Sequence, residues 1–415
     1  MIKNFLVNIL LLSLVNVFAQ EGTSSPYSYY GIGDIKFRGT VDTRAMGGVS
    51  VLPDSIHLNL QNPASYSSLR YIAFTIGGNH HNTTFRTNSD KENARRSALD
   101  YIALGIPMGK FGATIGLMPL SSVGYKINSA SPDNTFRRQF MGEGGVNKAF
   151  VGFGYQITKK LSVGADINFN FGFIKTENSL FSSQTFFGTG EKNTSSISGI
   201  NMKIGAMYNT PLTKKLQLYA SATFVPQSSI TALNTRNIGL IQFSDQDFIP
   251  VDAGIDVAVP NNTINLPSNY NVAIGIGEAK KWALGIDFTR QQFANYSNRF
   301  KDIVSGGFEN ANRIAVGGYY IPKYNSFNSY FDRVNYRAGF RFENTGLVIK
   351  NESITDLAIT AGLGLPVGGM LSNINLGVEY GQRGTKAQNL IIENYLNFTI
   401  AISLTDKWFV KRKYD

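Results

Sequence analysis

The chain has no cysteine, so no disulfide can staple it, and a leader cut before a lipid-bearing cysteine is excluded as well. It has only three histidines. His80 and His81 are adjacent and would point to opposite faces of a strand, so they cannot grip one metal ion, while His57 stands apart near the N-terminus. Charge is scarce, at 16% of residues, against about 25% in soluble domains. After the first residues no apolar run reaches the ~18 positions that a membrane-crossing helix needs. No glycine-rich loop follows a strand and opens a helix, which leaves phosphate cradles without a candidate; the glycine clusters read as glycines within strands.

What is present points outward from the cell. Residues 1–19 have the form of a secretory signal: Lys3, an apolar run from Phe5 to Val17, and the small-residue cleavage site Val17-Phe18-Ala19. The mature chain is then expected to begin near Gln20. Gly 42, Tyr 20 and Phe 29 are all high for 415 residues. Low charge with many aromatics suits a sheet with lipid on one side, where rings gather at the two interfaces. The net charge of +11 is better explained by attraction to anionic lipid head groups, or by lysine-bearing turns, than by a nucleic acid partner.

Period-two alternation dominates the chain after residue 70. In Leu161 to Phe173 the odd positions are apolar or small and the even ones are Ser162, Gly164, Asp166, Asn168, Asn170 and Gly172. Such a pattern gives a strand one greasy face and one wet face. It recurs at 216–224, 282–289, 374–381 and 396–404. Short links rich in Lys, Gly and Pro (107–110, 158–160, 210–215, 278–281, 366–371, and a longer one at 321–332) alternate with longer polar ones, the longest being Ala232 to Pro267. Short periplasmic turns facing longer outside loops are what an up-and-down barrel requires. The strands between them, 70–86, 97–107, 111–127, 140–157, 161–178, 195–210, 216–231, 268–278, 282–298, 308–321, 332–343, 354–365, 372–384 and 391–404, number fourteen. The predicted fold is therefore all-β: a transmembrane antiparallel up-and-down β-barrel of about 14 strands over residues 69–415.

Residues 20–68 lack the alternation. A disordered tail would be poor in aromatics, whereas "YSYYGIGD" holds Tyr27, Tyr29, Tyr30 and Ile32 together, so a plug, or hatch, inside the lumen is the favoured reading. With the apolar positions facing lipid, Asp166, Lys203, Asp287, Arg290, Arg337, Arg341, Glu343 and Glu379 are expected to face inward. Charges in a narrow lumen persist only when paired or hydrated. Ties between wall and plug are the plainer role for them, and lining a substrate path is the sharper one. His80 or His81 with Ser97 or Asp100 offers only a remote case for a hydrolase, so no catalytic residue, metal or cofactor is expected.

The chain resembles the FadL-like family, outer-membrane transporters of long-chain fatty acids and other hydrophobic compounds. The likeness is carried by "RAMGGVSV" (Arg44 to Val51), "LNLQNPASYSSL" (Leu58 to Leu69), the strand pair Tyr101 to Ile127 and the barrel end "ISLTDKWFVKRK" (Ile402 to Lys413). The resemblance implies a Gram-negative outer-membrane barrel closed by an N-terminal hatch. By position, Asn62, Pro63 and Ala64, with Gly47 and Gly48, would form its gate. It further implies capture of a hydrophobic ligand such as a long-chain fatty acid from outside, and release through a wall opening into the surrounding outer-membrane lipids. The sequence departs from the transporter pattern in having mostly short outside loops and no identifiable greasy outer groove. The alternative is a non-transporting FadL-like barrel that binds outer-membrane protein partners as a subunit of a secretion or barrel-assembly complex.

Overall fold

The computed structural model describes residues 22–36, 38–52, 56–244, 247–293, 296–300, 303, 306–367 and 372–406. The expected signal segment and Lys407 to Lys413 of the barrel end lie outside the described residues.

Alternating residues build a closed antiparallel barrel of fourteen wall strands. They are β1 (Ile72–Arg86), β2 (Lys91–Met108), β3 (Phe111–Ala130), β4 (Phe136–Gln156), β5 (Leu161–Ser182) and β6 (Gly188–Pro211). β7 comprises Leu216–Val225 and Ser228–Ser244; β8 comprises Asn262–Leu266 and Ser268–Glu278, with outer pieces Asp247–Pro250 and Ile255–Val257 also paired to β7. Then follow β9 (Trp282–Gln292), β10 (Gly306–Phe308 and Ala311–Tyr320), β11 (Asn335–Ile349), β12 (Glu352–Val367), β13 (Ser372–Gly384) and β14 (Ile392–Asp406). The ring closes where β1 pairs with β14, from Ile72 opposite Asp406 to Arg86 opposite Ile392. Closure pairs the edges of the first and last strands, which an open sheet would leave free.

Face by face, the alternation behaves as the sequence predicts. On β5, Ile167 is 63% exposed on the outer face while its neighbour Asp166 is 2% exposed within the lumen. β5 and β6 run to 22 and 24 residues, far beyond the ~9–11 that a tilted spanning strand requires. They therefore continue past the membrane on the side of the longer loops. Each buried apolar cluster includes residues of the N-terminal segment; one of them joins Val41, Leu58, Leu60, Tyr66 and Leu69 to Tyr101, Met118 and Phe150.

Several expectations need correction. The Ala232 to Pro267 stretch is largely strand, because its apolar residues alternate through β7 and the outer pieces of β8 and only short breaks at Asp, Gly and Pro interrupt them. β2 begins at Lys91, not 97, and β6 at Gly188, not 195: polar strand ends outside the membrane need no greasy face and so read as loop. β9 stops at Gln292, short of 298. Arg290 does not face inward. It shares the outer face with Leu284, Ile286 and Phe288, whereas Asp287 and Thr289 point into the lumen.

Candidate functional site: the internal plug and the break in the wall

The N-terminal segment is folded within the lumen as a 3₁₀ turn (Pro26–Tyr29), a short strand (Asp34–Ile35), one helical turn (Val41–Arg44) and a second 3₁₀ stretch (Pro63–Ser68). Asn62 caps the last of these: its side-chain oxygen accepts from the Ala64 N–H at 3.0 Å, while its amide donates to the Ala206 carbonyl of β6 at 3.2 Å. Pro63 suits the first position of the turn, because its ring fixes φ and the missing N–H would have had no partner there. Ala64 then lies flush against the wall. A β-carbon on the inward-facing Gly164 of β5 would sit 2.6 Å from the Ala64 nitrogen, and one on Gly154 of β4 would sit 2.7 Å from the Pro63 oxygen. The wall is therefore bare of side chains where this motif touches it.

Gly47 occupies the other side of the plug, with φ at +71°, and donates from its N–H to Thr360 Oγ1 of β12 at 2.9 Å. Gly48 follows at +95°. Both conformations favour glycine, and a β-carbon at Gly47 would also press on the Phe340 backbone of β11.

Charges hold the same side. Arg38 of the plug meets Asp356 at 2.7 Å and Glu343 at 3.6 Å; Arg44 meets Asp100 at 3.0 Å; Asp34 meets Arg383 at 2.8 Å. Arg341, fully buried, joins Glu379 at 2.5 Å and Asp356 at 3.8 Å within the wall. Of the other residues expected inside, Lys203 faces Asp166 at 3.9 Å and reaches the Leu60 and Gln61 carbonyls. Asp287 accepts from Ser50 of the plug at 3.0 Å, and Arg337 donates to Asn375 at 2.8 Å. Asp34, Arg38, Arg44, Arg313, Asp356 and Arg383 were missing from the expected set. Parity with Glu379 on β13, or with Ala358 on β12, would have found Arg383 and Asp356; the plug charges carry no periodic signal.

The wall is broken between β2 and β3. β2 and β3 pair only from Met108–Phe111 up to Ile102–Leu117, although β2 runs on to Lys91 and β3 to Ala130. Pro119, which has no N–H to donate, and a register shift between Pro119 and Ser121 stand where the ladder stops. The plug strand takes the vacated position: Asp34 and Ile35 pair with Ser122 and Ser121, and the Lys36 N–H reaches the Leu120 carbonyl at 3.1 Å. Ile35 is 40% exposed there. Behind that strand lies a cavity of about 280 Å³ lined by Tyr30, Ile32, Leu120, Leu266, Phe293 and Phe308, with Arg38, Lys148 and Lys203 among its polar walls. From the outer side, the segment after β9 grips the preceding plug residues: Asn298 accepts from the Gly31 N–H at 2.8 Å, Tyr296 accepts from the Ile32 N–H at 3.0 Å, and Arg299 donates to the Tyr29 carbonyl at 3.2 Å.

The histidines are divided as adjacency requires. His80 lies outside, 2.8 Å from Ser97 Oγ; His81 lies inside, 2.6 Å from Asn397. Asp100 is engaged with Arg44 and Asn79 in the lumen, away from the outer His80–Ser97 pair. Among the described residues no group of three His, Cys, Asp or Glu could hold a metal ion.

A fourteen-stranded membrane barrel with its N-terminal segment folded in the lumen has the FadL-like barrel fold. The same fold is seen in the Pseudomonas putida toluene transporter TodX (TM-score 0.57, 15% identity, 92% of this chain and 99% of that one). It is seen again in a Pseudomonas aeruginosa FadL homologue (0.56, 10%, 89% and 99%) and in the CymD monoaromatic hydrocarbon channel (0.51, 13%, 91% and 99%). These neighbours are channels and transporters, not enzymes. No curated protein matches the sequence. The profile of the BamG family matches residues 1–415, and the chain belongs to that family.

Proposed function

We propose that the protein is a channel for small hydrophobic compounds in the outer membrane of a Gram-negative bacterium, with the plug acting as a movable hatch. The observation that carries this reading is the plug strand Asp34–Ile35, which borders a cavity of mixed apolar and polar lining and stands in the break between β2 and β3. Withdrawal of that strand would join cavity to bilayer, and an apolar molecule gains free energy by leaving for lipid rather than water. Long-chain fatty acids are one fitting ligand class, since Arg38, Lys148 and Lys203 stand beside apolar walls. The absence of native cysteine allows a clean test. In an Ile35→Cys/Ser121→Cys variant in proteoliposomes, oxidation should abolish uptake of a labelled fatty acid or monoaromatic compound, and reduction should restore it. Equal uptake in both states, or no saturable uptake of any apolar probe by the unaltered protein, would sink the proposal.

A second reading is favoured by the full-length match to the BamG family: a non-transporting subunit of an outer-membrane complex for barrel assembly or secretion. Purification from native membranes under mild detergent distinguishes the two, because recovery only as a free barrel argues against a subunit.

A further inference from the structure

We infer that the periplasmic rim of the barrel is a docking surface for a periplasmic protein that presents an apolar pocket ringed by acidic residues. The surface stands apart from the lumen and does not depend on whether the barrel conducts.

The link between β10 and β11, residues 321–334, is far longer than the other described turns on the same face. Its aromatics point out: Phe327 is 92% exposed and Phe331 72%. They stand beyond the directly opposed Tyr320 and Tyr336 that close the two strands, where aromatics mark the membrane interface. A lipid surface would be met by that pair, leaving the two phenylalanines in water at a cost that a partner's pocket would remove. The link is also ordered by its own hydrogen bonds. The Lys323 N–H reaches the Asp332 carbonyl at 2.8 Å, Ser326 Oγ donates to the Asp332 carboxylate at 3.0 Å, and the Tyr330 hydroxyl donates to the Pro366 carbonyl near the end of β12 at 3.2 Å. Rings held this way lose little freedom on binding, which is why exposed aromatics on rigid loops serve as anchors.

Charge selects the partner. Lys280, whose ammonium lies 4.7 Å from the Tyr324 ring, and Lys323 are exposed in this link and the turn beside it, where Lys281, also exposed, is paired with Glu278 at 3.3 Å. The turns at 108–111, 156–161 and 211–216 add further exposed lysines on the same rim. The one acid in the link, Asp332, is already engaged by Ser326. A basic ring about an apolar tip favours an acidic ring about an apolar pocket and steers it in from a distance.

The test replaces Phe327 with p-benzoyl-phenylalanine in the full chain, expressed in its own cells, with Phe186 of the opposite face as the control position. Irradiation should give a discrete protein adduct at 327 only, its cross-linked peptide acidic and apolar. In a K280E/K281E/K323E background the adduct should fall at least fivefold, while heat-modifiable migration shows that the barrel remains folded. An adduct with lipid alone, no adduct, or a yield indifferent to the charge reversal would overturn the inference.

Discussion

The two flanks of the plug are held by opposite means. Asn62 to Ser68 press backbone against a wall from which side chains have been removed, so the contact is one of shape. Asp34 to Arg44 meet charged wall side chains, and Arg38, Arg44, Asp34 and Arg341 knit that flank through Asp356, Glu379, Asp100 and Arg383. A shape contact is lost when anything is added, whereas an ion-pair contact is lost when anything is taken away. The charged flank also supplies the strand Asp34–Ile35 that stands in the wall break.

The largest effect is expected from Arg341→Ala. It strips the closest cationic partner from buried Glu379 and loosens Asp356, and breaking such a pair costs about 3–5 kcal/mol; the midpoint of heat-modifiable migration should fall accordingly. Gly164→Val attacks the other flank by overpacking, at about 1–3 kcal/mol. Because the new atoms collide with Pro63 and Ala64 rather than with the wall, trypsin should reach the plug arginines while the barrel stays closed. Unchanged protection would show that the motif is not seated on the glycines. Asn62→Ala removes a cap and one tie to Ala206, a loss of about 1 kcal/mol, detectable as a smaller rise in the same cleavage.

Much of this was legible in the chain. The strand count, the greasy and wet faces and the inward direction of Asp166, Asp287 and Glu379 follow from period two, because a strand turns each successive side chain over whatever its neighbours are. Arg290 shows the limit of reading charge as inward: parity with Ile286 and Phe288 puts it outside, and the pattern already contained that answer. The outer ends of β2 and β6 were hidden because a strand wet on both faces has no period to read.

By itself, then, the sequence determined a membrane barrel with an aromatic, non-alternating segment before it and an Asn-Pro-Ala motif at the junction. Only the tertiary structure decided that this segment fills the lumen, that Arg38 finds Asp356 and Arg383 finds Asp34, and that the plug strand replaces β2 beside β3. Alternation is a local property set by neighbouring residues. Partners more than three hundred residues apart are brought together only by closing the ring, and no local pattern encodes which inward charge will stand opposite which.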